Sequence, residues 1–373
     1  GFENDTIHVD SENVKLEIVL REGLSLGEVN VVRRRFGTTK LRSSAMNVDI
    51  ISSAELSRAA CCNLGESFVT NPSVDVSYSD AATGAKQIKL LGLSGTYVQM
   101  MTENIPNYRG AAAPYGLGYV PGPWMQSIQV SKGSSSVKNG YESITGQINV
   151  EFKKPQLPEA DWVSANLFAS STGRYEANAD ATLKLSKRWS TSLLAHYENE
   201  TMAHDANHDG FADIPRVEQY NLWNRWAYMG DHYVFQAGIK ALSEWRNSGQ
   251  VNHGGNPGQE LYKIGIDTRR YEAFTKNAYI FNKEKNTNLA LILQGTFHNQ
   301  DAVYGHKLYD VDQTNVYASL LFETEFSKRH SLSTGLSFNY DGYDQRYRLT
   351  NDVELPRLKS FEKESVPGAY VQY

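Results

Sequence analysis

No run of about 18 apolar residues occurs anywhere in the 373-residue chain, which excludes a helical membrane protein. A membrane barrel is untouched by that absence, because barrel strands alternate apolar and polar residues and keep mean hydropathy low. Charge of one sign is lacking too. The chain holds 37 Lys plus Arg against 42 Asp plus Glu, a net charge of −5, so no basic field directs it to nucleic acid. Cysteine is confined to two neighbours, Cys61 and Cys62. Adjacent cysteines strain a disulfide, so they read as buried packing residues, with a soft-metal thiol pair as the other use. No Ser, His or Asp stands in a nucleophile motif, so no catalytic residues are assigned. No secretion leader precedes Gly1; the opening residues read as chain interior, and the true N-terminus is expected to have been removed. Tyrosine, by contrast, is abundant at 22 copies. A membrane-interface girdle would use it, and so would a carbohydrate-binding β protein.

Along the chain the pattern changes twice. Residues 1–23 alternate through Ile7, Val9, Val14, Leu16, Ile18 and Leu20, as the last strands of a small β domain would. Residues 24–40 form a polar connector with Arg33, Arg34 and Arg35. Residues 41–155 are mixed. Ser52 and Glu55 have capping-box spacing ahead of a short helix through Leu56, Ala60 and Leu64. Asn71-Pro72 ends that regularity. Short strands are expected around 86–93, 96–105, 125–131 and 145–153, with a long Gly-, Pro- and aromatic-rich loop at 106–124.

From 159 onward long strands take over. In 174–185, Tyr175, Ala177, Ala179, Ala181, Leu183 and Leu185 share one face, and Arg174, Glu176, Asn178, Asp180, Thr182 and Lys184 the other. Rows of the same kind contain Leu289, Leu291, Leu293 and Phe297, then Val316, Leu320 and Phe326, then Leu332, Leu336 and Phe338. Connections near 171–173, 186–188, 230–231, 282–286 and 327–330 are short; those at 200–218, 247–266, 301–312 and 341–360 are read as long loops. Tight turns at one end and long loops at the other characterise outer-membrane barrels. A soluble sandwich is the alternative, but its strands run about five or six residues, whereas these read as about 10–14, the length that crosses a bilayer at a tilt. The charged row must then face an enclosed interior, since a basic side chain turned to lipid costs roughly 2–4 kcal/mol near the midplane. The count reaches about ten strands, with Tyr373 inside the tenth. A barrel that small has no room for so large a preceding domain, so the chain is expected to be incomplete.

The stretch Asn71–Val76, the segment Ile88-Lys89-Leu90-Leu91-Gly92-Leu93, and above all Met125–Gly133 running on to Gly146-Gln147-Ile148-Asn149-Val150 resemble the plug of TonB-dependent outer-membrane receptors. Two positions depart from that pattern: Leu91 stands where the family has Arg, and Asn139 where it has Tyr. Residues 1–23 resemble the end of the carboxypeptidase-regulatory-like β domain that precedes such receptors in Bacteroidetes. The resemblance implies a mixed α/β plug domain (41–155) followed by an antiparallel transmembrane β-barrel, of which 156–373 supplies about ten strands out of about 22. It implies energised uptake of a scarce large nutrient, set against a passive porin, a surface binding protein or an outer-membrane enzyme. A TonB-type energy-coupling protein and outer-membrane lipid are the expected partners. The candidate TonB box is Glu28, Val29, Asn30, Val31 and Val32, an extended β-branched segment able to add to a partner's sheet edge.

Two groups of residues carry candidate chemistry. Asp205, Asn207, Asp209 and Asp213 place oxygen ligands at positions 1, 3, 5 and 9 of a calcium-type loop, with Gly210 at the sharp turn; Arg216 stands where position 12 would be Glu. A polar Asx turn that binds nothing is the other reading, and Asp267 is a candidate to complete the shell. Cobalamin receptors of the family resemble this loop and the triplet Asp267-Thr268-Arg269, which favours cobalamin over siderophore, haem or a copper chelate. The second group is Tyr108, Arg109, Tyr115, Tyr119 and Trp124 in the 106–124 loop. They either meet a large ligand or pack against the barrel wall. Met100, Met101, His204, His208, His253 and His306 are scattered and lack ligand spacing for copper or haem.

Overall fold

The computed structural model describes residues 39–40, 47–58, 62–69, 71, 74–93, 95–133, 137–140, 142–155, 163–251, 260–327 and 330–373. All lie in one compact unit, Gly37–Tyr373. The expected β-domain end at 1–23, the connector up to residue 38, the Glu28–Val32 box, Cys61 and His253 fall outside the described residues.

The first half is an α/β layer. Its strands are β1 (Thr39–Lys40), β2 (Asn47–Ser52), β3 (Val74–Asp80), β4 (Ala85–Leu90), β5 (Val98–Thr102), β6 (Ile105–Pro106), β7 (Met125–Lys132) and β8 (Gly146–Phe152). Six of them form one sheet in the order β1-β2-β7-β8-β5-β6; β3 and β4 form a separate hairpin. Pairing is antiparallel except between β5 and β8. Helix α1 is shorter than the sequence spacing predicts, covering Ser53–Arg58. Ser52 ends β2, and its buried hydroxyl makes no capping bond. A cap of the same spacing forms eleven residues later, where Asn63 accepts from the Glu66 N–H and closes a 3₁₀ turn at Leu64–Phe68. Ile51, Leu64, Leu90, Ile128, Val130, Ile148 and Val150 are buried between these layers.

The second half is one ten-stranded antiparallel sheet, each strand bonded to the next in sequence. The strands are β9 (Val163–Ala169), β10 (Arg174–Lys184), β11 (Trp189–Glu200), β12 (Arg216–Met229), β13 (Tyr233–Gly249), β14 (Lys263–Asn282), β15 (Thr287–Tyr304), β16 (Lys307–Ser327), β17 (His330–Arg348) and β18 (Leu358–Gln372). The sheet is open, with β9 and β18 as its edges. The two faces have inverted polarity. Outward-facing Leu183, Leu291, Leu320 and Leu336 are exposed, while Glu176, Asn178, Gln219, Arg225 and Thr268 are buried against the plug. That inversion suits a wall with hydrocarbon outside and polar contents inside.

The wall departs from the sequence reading in length. Strands β13 to β17 run 17, 20, 18, 21 and 19 residues. The long loop read at 301–312 does not exist: β15 and β16 continue through it to a turn at Gly305-His306, pairing Val303 with Leu308. The loop read at 341–360 shrinks to 349–357, because β17 runs to Arg348 and β18 starts at Leu358. Beyond Phe297 the outward row turns polar at Asn299 and Asp301, so the strand has left its apolar band and continues in water.

Candidate functional site

The plug sits against the wall's polar face, and the seam between them is built from buried charge. Glu103 and Asn104, both left-handed at φ 52° and 62°, turn the chain from β5 into β6. This turn carries Glu103, 3% exposed, to Arg225 of β12, whose Nη2 donates to Glu103 Oε1 at 2.6 Å. Lys276 of β14 donates to the Glu103 carbonyl at 2.6 Å and lies 3.5 Å from its carboxylate. Arg225 also donates to Lys153 O at 2.7 Å and lies over the Trp223 ring at 4.6 Å. Burial alone would raise the Glu103 pKa, but the Arg225, Lys276 and Lys154 cations hold it below the usual carboxylate range.

A second node lies further along the seam. Arg270 donates to Asn107 Oδ1 at 2.5 Å, and Asn107 Nδ2 donates to Glu272 at 2.9 Å. Lys240 donates to the Tyr108 hydroxyl at 2.9 Å. Tyr108 is left-handed at φ 53°, unusual for a bulky residue; Lys240 and Arg270 flank its ring at 5.4 and 5.3 Å. A third node, at the long-loop end, joins Glu66 of the plug to Arg174 of β10 at 2.8 Å. Arg246 of β13 there donates to Thr83 O at 3.3 Å and sits over Tyr115. None of these pairs was singled out by sequence. The available signal was a charge at an inward position of a strand, but a water-filled lumen gives the same pattern.

The loop aromatics divide from Arg109. Tyr108, Tyr115, Tyr119 and Trp124 are 4%, 5%, 0% and 0% exposed and belong to the core between plug and wall. Trp124 packs near Trp223 and His196, and Tyr119 near His298. Of the two uses the sequence left open, these four adopt packing. Their large apolar surface is better satisfied there than in water. Arg109 is half-buried and, with Glu142, lines a cavity of about 610 Å³ on the plug.

In the 201–215 loop, Asp205 accepts from the N–H groups of Asp209 and Gly210 at 3.1 and 2.9 Å, and Asp209 accepts from Phe211 at 2.8 Å. Asn207 donates to Asp209 at 2.9 Å, while Asp213 accepts from Ala206 at 2.8 Å. His208 and Gly210 are left-handed, φ 59° and 85°, which closes the tight turn. Among the described residues no three His, Cys, Asp or Glu side chains converge as a metal cage. His204 instead bonds Thr172 O at 2.7 Å, and Met101 is buried in the plug. Asp267-Thr268-Arg269, expected in a loop, lies inside β14; Asp267 pairs with Arg269 at 3.5 Å, and Thr268 is fully buried on the opposite face. Cys62 is buried, and burial together with Glu176 pushes its thiol pKa well up, so it stays a neutral packing group.

An apolar outer face, a polar inner face and a plug packed against it define a plugged β-barrel wall of the outer-membrane type. Residues 40–147 match the TonB-dependent Receptor Plug Domain family, and plug and following strands together share the fold of solved outer-membrane receptors. Solved structures share the fold at low identity. The ferripyoverdine receptor of Pseudomonas aeruginosa superposes with TM-score 0.70 at 14% identity, over 90% of this chain and 51% of that one. The alcaligin receptor FauA of Bordetella pertussis gives 0.67 at 12% identity, over 88% and 52%. The copper transporter OprC gives 0.69 at 12% identity, over 90% and 52%. The chain thus spans about half the length of the structures it resembles. No curated protein sequence matches it.

Proposed function

We propose that this chain belongs to an energised importer that carries a scarce chelated nutrient across the outer membrane. The observation that carries the reading is the seam. A passive pore needs an open lumen, whereas here the inner face of the wall is occupied by a plug held through a buried ion pair at Glu103 and a partly buried one at Glu66. Breaking one buried pair costs about 3–5 kcal/mol, so passage requires work on the plug. A TonB-type partner engaging Glu28–Val32 would supply it. Similar folds in a ferripyoverdine receptor, an alcaligin receptor and a copper transporter support a metal chelate as cargo. Cobalamin is the specific alternative, supported by the spacing of the Asp205–Asp213 loop.

As part of this reading the same loop takes a calcium ion. Its oxygen donors suit a hard cation, and each carboxylate oxygen that accepts one N–H keeps a lone pair. The uptake test is growth of a deletion strain starved in turn of siderophore-bound iron, haem, copper chelate and cobalamin. Loss of growth on one of them, restored by the full-length gene and abolished by an uncoupler, is expected. Equal growth on all four rejects the importer. For the metal, calorimetry should show calcium binding weakened at least tenfold in Asp209→Ala; an unchanged isotherm rejects the site.

A further inference from the structure

Arg109 stands where three elements meet. Its guanidinium lies 2.5 Å from Glu142 of the plug, 3.4 Å from Asp341 of β17 and 3.9 Å from Glu364 of β18. The backbone that presents it is unusual. Tyr108 and Gly110 on either side are both left-handed, at φ 53° and 59°, while Arg109 itself is extended. A Cβ on Gly110 would collide with the Gln313 side chain, so the turn is wedged against the wall. Tyr108 is fixed by the bond from Lys240 and by Asn107, whose side chain accepts its N–H at 2.8 Å. The arm therefore has little freedom except at its tip.

Glu142 is the one plug residue of the three carboxylates, and it begins the segment that feeds β8. Ile144 and Thr145 bond Tyr97 O at 3.2 and 3.0 Å, and Gly146 opens the strand. Lys138, just upstream, pairs with Glu323 of β16. Among the described residues, one guanidinium meets three carboxylates, an excess of negative charge. Like charges sharing a site favour proton uptake by one of them. Glu142 is that one: burial raises its pKa first, Asp341 and Glu364 raise it further, and Arg109 opposes them without reversing the shift. The Tyr343 hydroxyl, which accepts from Gln313 at 3.2 Å, also faces this group.

We infer that the Arg109–Glu142 contact is an acid-released clasp between the 108–110 turn and the segment leading into β8. Proton uptake at Glu142 removes the short ion pair, while Asp341 and Glu364 keep Arg109 on the wall. No cation is left buried alone in either state. The 142–145 segment is thereby freed from the seam as pH falls, and the 108–110 turn stays anchored.

The test is hydrogen exchange read by mass spectrometry on the full chain in detergent micelles, with rates corrected for intrinsic pH dependence. Protection in peptides covering residues 140–146 should fall several-fold between neutral pH and about pH 5, while that of 105–110 holds. Glu142→Gln should show the low protection already at neutral pH and lose the pH dependence. Glu364→Gln, in the middle of the edge strand β18, should keep the clasp and move its release to lower pH, because a repelling charge has gone. Wild-type protection that is flat with pH, or a Glu142→Gln chain protected like wild type at neutral pH, overturns the clasp. An unshifted release in Glu364→Gln does the same.

Discussion

Removing Arg225 isolates what holds the plug to its wall. Arg225→Met keeps much of the side-chain volume over Trp223 but leaves Glu103 without its 2.6 Å partner. Loss of one member of a buried pair costs about 3–5 kcal/mol. Lys276 remains 3.5 Å from the carboxylate, which places the expected loss near the lower end. About 3 kcal/mol raises the population of released plug by more than a hundredfold. Glu103→Gln should cost a similar amount, since two cations then face a neutral amide. The double variant should cost less than the two singles summed, because the buried Arg225 and Glu103 charges go together and only Lys276, still bonded to the residue 103 carbonyl, remains. Denaturant midpoints of the full chain in detergent, combined in a double-mutant cycle, measure the coupling. A coupling below about 0.5 kcal/mol would refute the seam as an ionic clamp and leave packing around Trp223 and Phe152 as the holding force.

The same carboxylate gives a pH signature. Its folded pKa lies below the unfolded value, so its stabilisation is complete above the unfolded value near 4.5 and is lost as pH falls through the folded value. Glu103→Gln should therefore flatten the drop in denaturation midpoint on acidification, and a profile identical to wild type would count against the pairing. Leu291→Arg, on the outward face of β15, should lower stability by roughly 2–4 kcal/mol in lipid vesicles; tolerance of that charge would show that the face does not meet hydrocarbon. Gly146→Ala sets a methyl against Leu90 and the Ser131 carbonyl, and should cost about 1–3 kcal/mol and expose β7–β8 amides to exchange. Unchanged protection there would mean that the sheet absorbs the methyl.

How far the sequence could be read depends on which solvent each stretch meets. Between Thr287 and Phe297 lipid enforces an apolar outward row, and the period-2 signal is plain. At Asn299 and Asp301 the strand continues into water, both faces are polar, and the same backbone reads as a loop. The plug strands β7 and β8 were legible because their motif is compact in sequence. β3 was not picked out as a strand: its polar residues Asp75, Ser77 and Ser79 and the preceding Asn71-Pro72 read as a break. The loop aromatics could not be assigned from composition alone. A tyrosine serves ligand or core equally well, and only the approach of β12 and β13 from more than a hundred positions away decides for Tyr119. The ionic seam was invisible for the same reason, since Glu103 and Arg225 are 122 residues apart.

The reach of the central strands changes how the molecule meets its surroundings. At about 3.3 Å per residue and a tilt near 45°, the 21 residues of β16 rise close to 50 Å, against an apolar band about 25 Å tall. Nearly half of that hairpin therefore extends beyond the apolar band as continuous β-ribbon. A molecule approaching from that end would meet hydrogen-bonded ribbon rather than loop.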